Sequence, residues 1–231
     1  MANGIGRLLG SSLGRERFQA RAQRARKLAT RYPAAAQALE FFAAASEAQA
    51  EGLNLEGVHR LLRRVAPEPL ASLTVTPEEV ESYLRFPDPS RLSSVAARIL
   101  LEQDPPVAPQ VVDPPKLGCP RCGHPAQLGV LRPVAEGAAL AMACSLCRQE
   151  WGVSRRVCPV CESESLEFYS AADYPATLIQ MCGACKTYFH ILDVTKDPEL
   201  VPEADEIAGQ PFDVWAMDQG YVKIFPNWVG L

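Results

Sequence analysis

The chain of 231 residues lacks any uncharged apolar run of about 18 residues, so no transmembrane helix is expected. Residues 1–14 are short and Gly/Ser-rich and have no continuous apolar core, which argues against a signal peptide. Arg15 and Arg17 are not adjacent and precede no apolar segment, so they do not form a twin-arginine signal. A cytoplasmic protein is the resulting expectation. No phosphate loop, dinucleotide fingerprint or nucleophile elbow is present, and with no other catalytic constellation the chain does not read as an enzyme. Histidine is scarce: His59, His124 and His190 are the full set, and none is needed as a metal ligand. His124 follows a cysteine pair closely and could tune it, but reads more simply as a surface side chain. Basic surplus is missing as well. The chain carries a net charge of −4, which divides into +3 over 1–103 and −7 over 104–231.

Cysteine is absent from the first 118 residues, and helical signals fill them instead. Over 15–32, Phe18, Ala22, Ala25, Ala29 and Tyr32 share one face, and Arg17, Arg21 and Arg24 line a neighbouring stripe that reads as solvated. Pro33 opens a second helix running to about residue 50, apolar on most sides and therefore buried. Asn54 caps a third, with Leu55, Val58, Leu61, Leu62 and Val65 at helical spacing. Thr76-Pro77-Glu78-Glu79 is a capping-box signature for a fourth, and Asp88-Pro89 starts a fifth. Residues 1–103 thus read as an all-helical domain. Five prolines between 104 and 118 mark an extended connector, because proline fixes φ and removes a backbone donor.

Beyond the connector stand eight cysteines in four C-x-x-C pairs: Cys119/Cys122, Cys144/Cys147, Cys158/Cys161 and Cys182/Cys185. Each such pair forms a tight knuckle that aims two sulfurs at one point, and two knuckles complete a tetrahedron around a soft ion such as zinc or iron. The pairs repeat. Cys158 follows Cys119 by 39 residues and Cys182 follows Cys144 by 38, while Trp151 and Phe189 each sit seven residues after the third cysteine of their unit. Two copies of one module predict sequential pairing: Cys119, Cys122, Cys144 and Cys147 in the first site, and Cys158, Cys161, Cys182 and Cys185 in the second. Cross-bracing is disfavoured because each copy already holds a full ligand set. Disulfides are disfavoured because a cytosolic chain keeps its thiols reduced. A thioredoxin-like redox role lacks the βαβ context it needs. Four thiolates leave no open coordination position, so the ions are structural or electron-transferring.

The fold class expected is α+β: a helical domain over 1–103, the connector over 104–118, small rubredoxin-like or zinc-ribbon-like β modules over 119–155 and 156–193, and a tail over 194–231. Within the tail, 212–219 reads as a helix stopped by Gly220, and 221–225 as a strand. Asp205, Glu206, Asp213 and Asp218 read as a solvated acidic face. A zinc-ribbon nucleic-acid binder is one alternative, but residues 119–189 balance six basic against six acidic side chains and lack the electrostatic drive for phosphate. A rubredoxin-like electron carrier is another, and it leaves the helical domain unexplained.

The segments Cys119-Pro-Arg-Cys-Gly-His-Pro125, Cys144-Ser-Leu-Cys-Arg-Gln-Glu-Trp151, Arg156-Val-Cys-Pro-Val-Cys161 and Cys182-Gly-Ala-Cys-Lys-Thr-Tyr-Phe189 resemble the formate dehydrogenase accessory protein family, FdhE. So does the tail, where Ala204-Asp205-Glu206-Ile207-Ala208 is followed by Phe212-Asp213 and Gly220-Tyr221. The similarity covers about residues 117–227. It implies a cytoplasmic maturation factor that does not itself turn over formate. Such a factor holds an iron ion in each four-cysteine site, with zinc as the alternative, and contacts the formate dehydrogenase catalytic subunit before export. Trp151, Tyr188, Asp205, Asp213 and Tyr221 are the candidate partner contacts on this resemblance.

Overall fold

A computed structural model describes residues 12–107, 117–228 and 230. The Gly/Ser-rich start and most of the proline-rich connector lie outside the described residues. Five helices come first: α1 (Ser12–Arg31), α2 (Ala36–Glu51), α3 (Leu55–Val65), α4 (Pro77–Arg85) and α5 (Ser93–Leu101). Local chemistry sets several of their ends. The Asn54 side chain accepts the Gly57 N–H at 2.8 Å and caps α3. Thr76 and Glu79 exchange hydrogen bonds in a full capping box at α4, with Pro77 at the first helical position. Pro33 opens a single 3-10 turn that leads into α2. The fifth helix begins later than the Asp88-Pro89 signal suggests. Asp88 instead closes a turn, accepting from the Ser90 N–H and hydroxyl, and α5 starts at Ser93.

The cysteine half folds as two copies of a three-strand unit. The first is β1 (Ala126–Val134), β2 (Gly137–Cys144) and β3 (Glu150–Gly152); the second is β4 (Leu166–Ser170), β5 (Thr177–Cys182) and β6 (Thr187–Asp193). Each is an antiparallel meander. The copies are not separate beads. Parallel pairing of β1 with β6, Gly129 opposite Ile191 and Leu131 opposite Asp193, fuses them into one sheet of order β3-β2-β1-β6-β5-β4. Gly129 allows the close approach: a Cβ there would lie 3.0 Å from Leu140, 3.1 Å from Phe189 and 3.2 Å from Ile191. Fusion also buries apolar surface that neither copy could cover alone, with Leu131, Leu140, Met142, Phe189 and Ile191 in one cluster across the seam.

The tail ties the halves together. It forms α6 (Pro202–Ala208), α7 (Gln210–Asp218) and β7 (Val222–Lys223), the last pairing parallel with the start of β6. Ala204, Ile207 and Ala208 of α6 join the core of the helical domain, as does Trp228, whose ring meets Phe42 edge-on at 4.9 Å. Gly220 takes φ +80° and ends α7, as a residue free of Cβ can. Among the described residues no helix is long and apolar enough to cross a membrane.

Candidate metal centres

Each three-strand unit presents its four cysteines at one end. The first knuckle of each precedes the opening strand, and the second sits in the turn between the second and third strands. In the first unit Cys119 and Cys147 sulfurs lie 3.5 Å apart, and those of Cys122 and Cys144 3.4 Å. In the second, Cys158–Cys185 and Cys161–Cys182 are 3.7 and 3.6 Å. All four sulfurs of each group fall within 4.8 Å of one another. A tetrahedron with metal–sulfur bonds of about 2.3 Å has edges of about 3.8 Å, so both groups have the size of an M(Cys)4 site. All eight cysteines are free thiols rather than disulfides. The donor set and its spacing fit a soft cation, and each cluster could hold one.

The backbone shows why the spacing works. The residue after the second cysteine of every knuckle is left-handed: Gly123 at φ +78°, Arg148 at +61°, Glu162 at +63° and Lys186 at +57°. That conformation is uncommon outside glycine. Here it closes the turn, and the N–H groups of Gly123, Glu162 and Lys186 return to the carbonyls of Cys119, Cys158 and Cys182 at 2.8–2.9 Å. Backbone N–H groups of Arg121 and Leu146 point at the sulfurs of Cys119 and Cys144 at 3.4 Å. Such donors favour the thiolate form. Thiols packed this closely share protons. Hydrogen bonding to Cys144, then burial, pushes Cys119 up, while bonds from Cys122 and Cys144 draw Cys147 down to about 4.

The two centres differ in setting. The first is buried throughout, roofed by Leu146 and flanked by Leu84, Leu101 and Trp151. His124 is also buried, against Tyr83 at 5.4 Å between rings, which corrects the expectation of a surface histidine. Burial, with the nearby charge of Arg98, brings its pKa down to about 4, so the ring is neutral at pH 7. At the second centre Cys161 is exposed and Cys185 half-buried, with the Thr187 hydroxyl 3.0 Å from the Cys185 sulfur.

Behind the centres runs a buried network of charges that local sequence patterns misread. Arg21 is fully buried, not solvated, and donates to Glu102 at 2.9 Å. Glu102 also accepts from Arg148, next to Cys147, at 2.5 Å and from the Trp228 indole at 2.8 Å. Arg148 reaches Gln127 of β1 at 3.1 Å, and Gln127 donates to Glu206 of α6. Lys223 bridges Glu206 at 2.9 Å and Asp213 at 3.0 Å. Asp213 then accepts from the Tyr188 hydroxyl at 3.0 Å and bonds His190 Nε2 at 2.9 Å. A single polar path therefore joins α1, the first knuckle unit, the tail and β6 of the second.

This overturns the solvated acidic face: Asp205, Glu206 and Asp213 are buried, and only Asp218 of that set is exposed. The five candidate partner contacts are placed as follows. Tyr188 and Asp213 bond each other inside the protein, and Asp205 takes a two-pronged bond from Arg24. Trp151 is half-buried between two apolar clusters, and Tyr221 is half-buried beneath Lys186 at 4.9 Å. The opposite net charge of the two halves, +3 against −7, is a sequence signal for the Arg24–Asp205 pair alone among these contacts.

A helical domain sharing its core with the tail of a sheet that carries two four-cysteine clusters defines a double zinc-ribbon-like protein. No family model matches the chain. The FdhE homolog of Aquifex aeolicus is 32% identical over 117 residues, 48% of this chain and 41% of that protein. The FdhE homolog of Pseudomonas putida is 35% identical over 117 residues, 47% of this chain and 37% of that protein. The matched segment thus spans about two fifths of these curated relatives. The crystal structure of the FdhE protein from Pseudomonas aeruginosa shares the fold, with a TM-score of 0.60 at 19% identity over 93% of this chain and 95% of that one. The cysteine-bearing half is thus similar in sequence to FdhE proteins, and the chain as a whole shares their fold.

Proposed function

We propose that the chain is a metal-binding accessory factor for formate dehydrogenase, one that binds the immature catalytic subunit in the cytoplasm and supports formation of the active enzyme before export. The observation that carries this reading is the pair of four-cysteine clusters on one sheet, in a chain related to FdhE proteins through that same half. Each cluster holds one ion through Cys119, Cys122, Cys144 and Cys147 or through Cys158, Cys161, Cys182 and Cys185, and iron is the ion proposed. Four thiolates saturate the ion, so it activates no water or substrate, and the chain acts by binding rather than by catalysis. Its working surface is the outside of the fused sheet and helical domain, because Asp205, Glu206 and Asp213 of the tail are occupied internally.

Two measurements test this. Protein purified from its native host without oxygen should contain two irons per chain and turn red on oxidation; two colourless zincs would reject iron while keeping the ligand sets. Deleting the gene should abolish formate dehydrogenase activity, with restoration by the intact gene. Unchanged activity in the deletion strain would end the maturation reading.

A further inference from the structure

The sheet ends at β4, and among the described residues nothing pairs with its outer side. Its register shows which backbone groups face outward. Ser165 accepts a hydrogen bond from Gly183, and the antiparallel ladder alternates from there. Glu167 and Tyr169 therefore face β5, while Phe168 and Ser170 turn their N–H and C=O groups away from the sheet. An open edge of this kind is a template for another extended chain.

Charge and shape narrow what that chain is. Edge strands are commonly guarded by lysine. Here no lysine or arginine occurs between Arg156 and Lys186, while Glu162, Glu164, Glu167 and Asp173 do, all of them exposed. The adjacent α7 has no basic residue and adds exposed Asp218. The strand also shows apolar surface, with Phe168 48% and Tyr169 38% exposed. Beside its end lies a cavity of about 280 Å3 lined by Tyr169, Tyr174, Phe212 and Trp215. Its walls are held by ring contacts, Tyr169 edge-on to Trp215 at 4.8 Å and Tyr174 stacked on Tyr32, just after α1, at 4.6 Å.

We propose that the β4 edge binds an extended cationic peptide segment of a partner protein, which adds to the sheet as a further strand and seats an apolar side chain against Trp215. Open backbone groups supply the pairing, the acidic fringe selects basic side chains, and the aromatic cavity takes the apolar one. The inference stands on this surface alone and does not need the partner to be formate dehydrogenase.

The probe is a short fluorescein-labelled peptide alternating lysine with valine and carrying a central leucine, titrated into the full metal-loaded chain by anisotropy. Saturable binding that weakens with salt is expected. The same peptide N-methylated along one edge loses two backbone bonds and should bind roughly 30-fold more weakly. A version with glutamate for lysine should not bind. Trp215→Ala and Glu164→Lys, each checked for unchanged metal content and melting, should both weaken binding. Hydrogen exchange should slow at Phe168 and Ser170 when peptide is present. Equal affinity for the N-methylated peptide, protection confined to another surface, or no binding at all would each overturn the proposal.

Discussion

Glu102 is the sharpest place to perturb this fold. It is fully buried, and its carboxylate takes donors from Arg21, Arg148 and Trp228 at 2.5–2.9 Å. Burial by itself would raise its pKa, but the charges of Arg148, Arg21 and Arg98 outweigh that and hold it at about 2, against an ordinary 4.5. A depression of this size contributes about 3 kcal/mol of stability at neutral pH. Because the folded value lies below the unfolded one, the contribution is full above pH 4.5 and fades as pH falls through 2. Glu102→Gln keeps the shape and the acceptor for Trp228 but removes the carboxylate that Arg21 and Arg148 share, leaving Arg148 with Glu203 alone at 3.4 Å. Breaking one side of a buried pair costs about 3–5 kcal/mol, so both routes give a loss near 3 kcal/mol. For a domain of this size that lowers Tm by roughly 6–12 °C. Calorimetry and urea unfolding at pH 7, with metal content measured on each sample, supply the number. The gap between wild type and variant should close as the pH is lowered towards 2. A loss under about 1 kcal/mol at pH 7, or a gap that does not narrow in acid, would refute the assignment of Glu102 as the hub.

Three further outcomes follow from the geometry. Cys144→Ser should drop metal content from two ions per chain to one and lower soluble yield, as read by elemental analysis; two retained ions would contradict the first ligand set. A chelator should strip the second centre, open at Cys161, before the buried first one, giving two separate release phases rather than one. Gly129→Ala forces a Cβ to within 3.0–3.2 Å of Leu140, Phe189 and Ile191 and should destabilise the β1–β6 seam. Overpacking of this kind costs about 1–3 kcal/mol, measurable as a lower urea midpoint.

Much of the protein is legible in its residues because the relevant physics is local. Asn54 and the Thr76–Glu79 box cap helices through bonds that span three residues. The C-x-x-C knuckles depend on a turn of a few residues, and their repetition forecast the grouping of sulfurs that the structure shows. Asp88 failed as a helix start because a turn to Ser90 competed for the same side chain, a choice that local pattern alone leaves balanced.

What only the tertiary structure decided are the pairings between distant residues. Arg21 meets Glu102 across 81 positions, Arg24 meets Asp205 across 181, and Trp228 meets Glu102 across 126. A charged side chain on a helix looks solvated until a partner of opposite charge arrives from elsewhere, since burial is favourable only once the charge is paired. The β1–β6 seam is the same kind of fact. Each module carries a full ligand set and a full meander, and nothing within either says which edge the other will occupy. That choice was made by the apolar surface left over on both copies, and by Gly129, which lets the two strands come close enough to bury it.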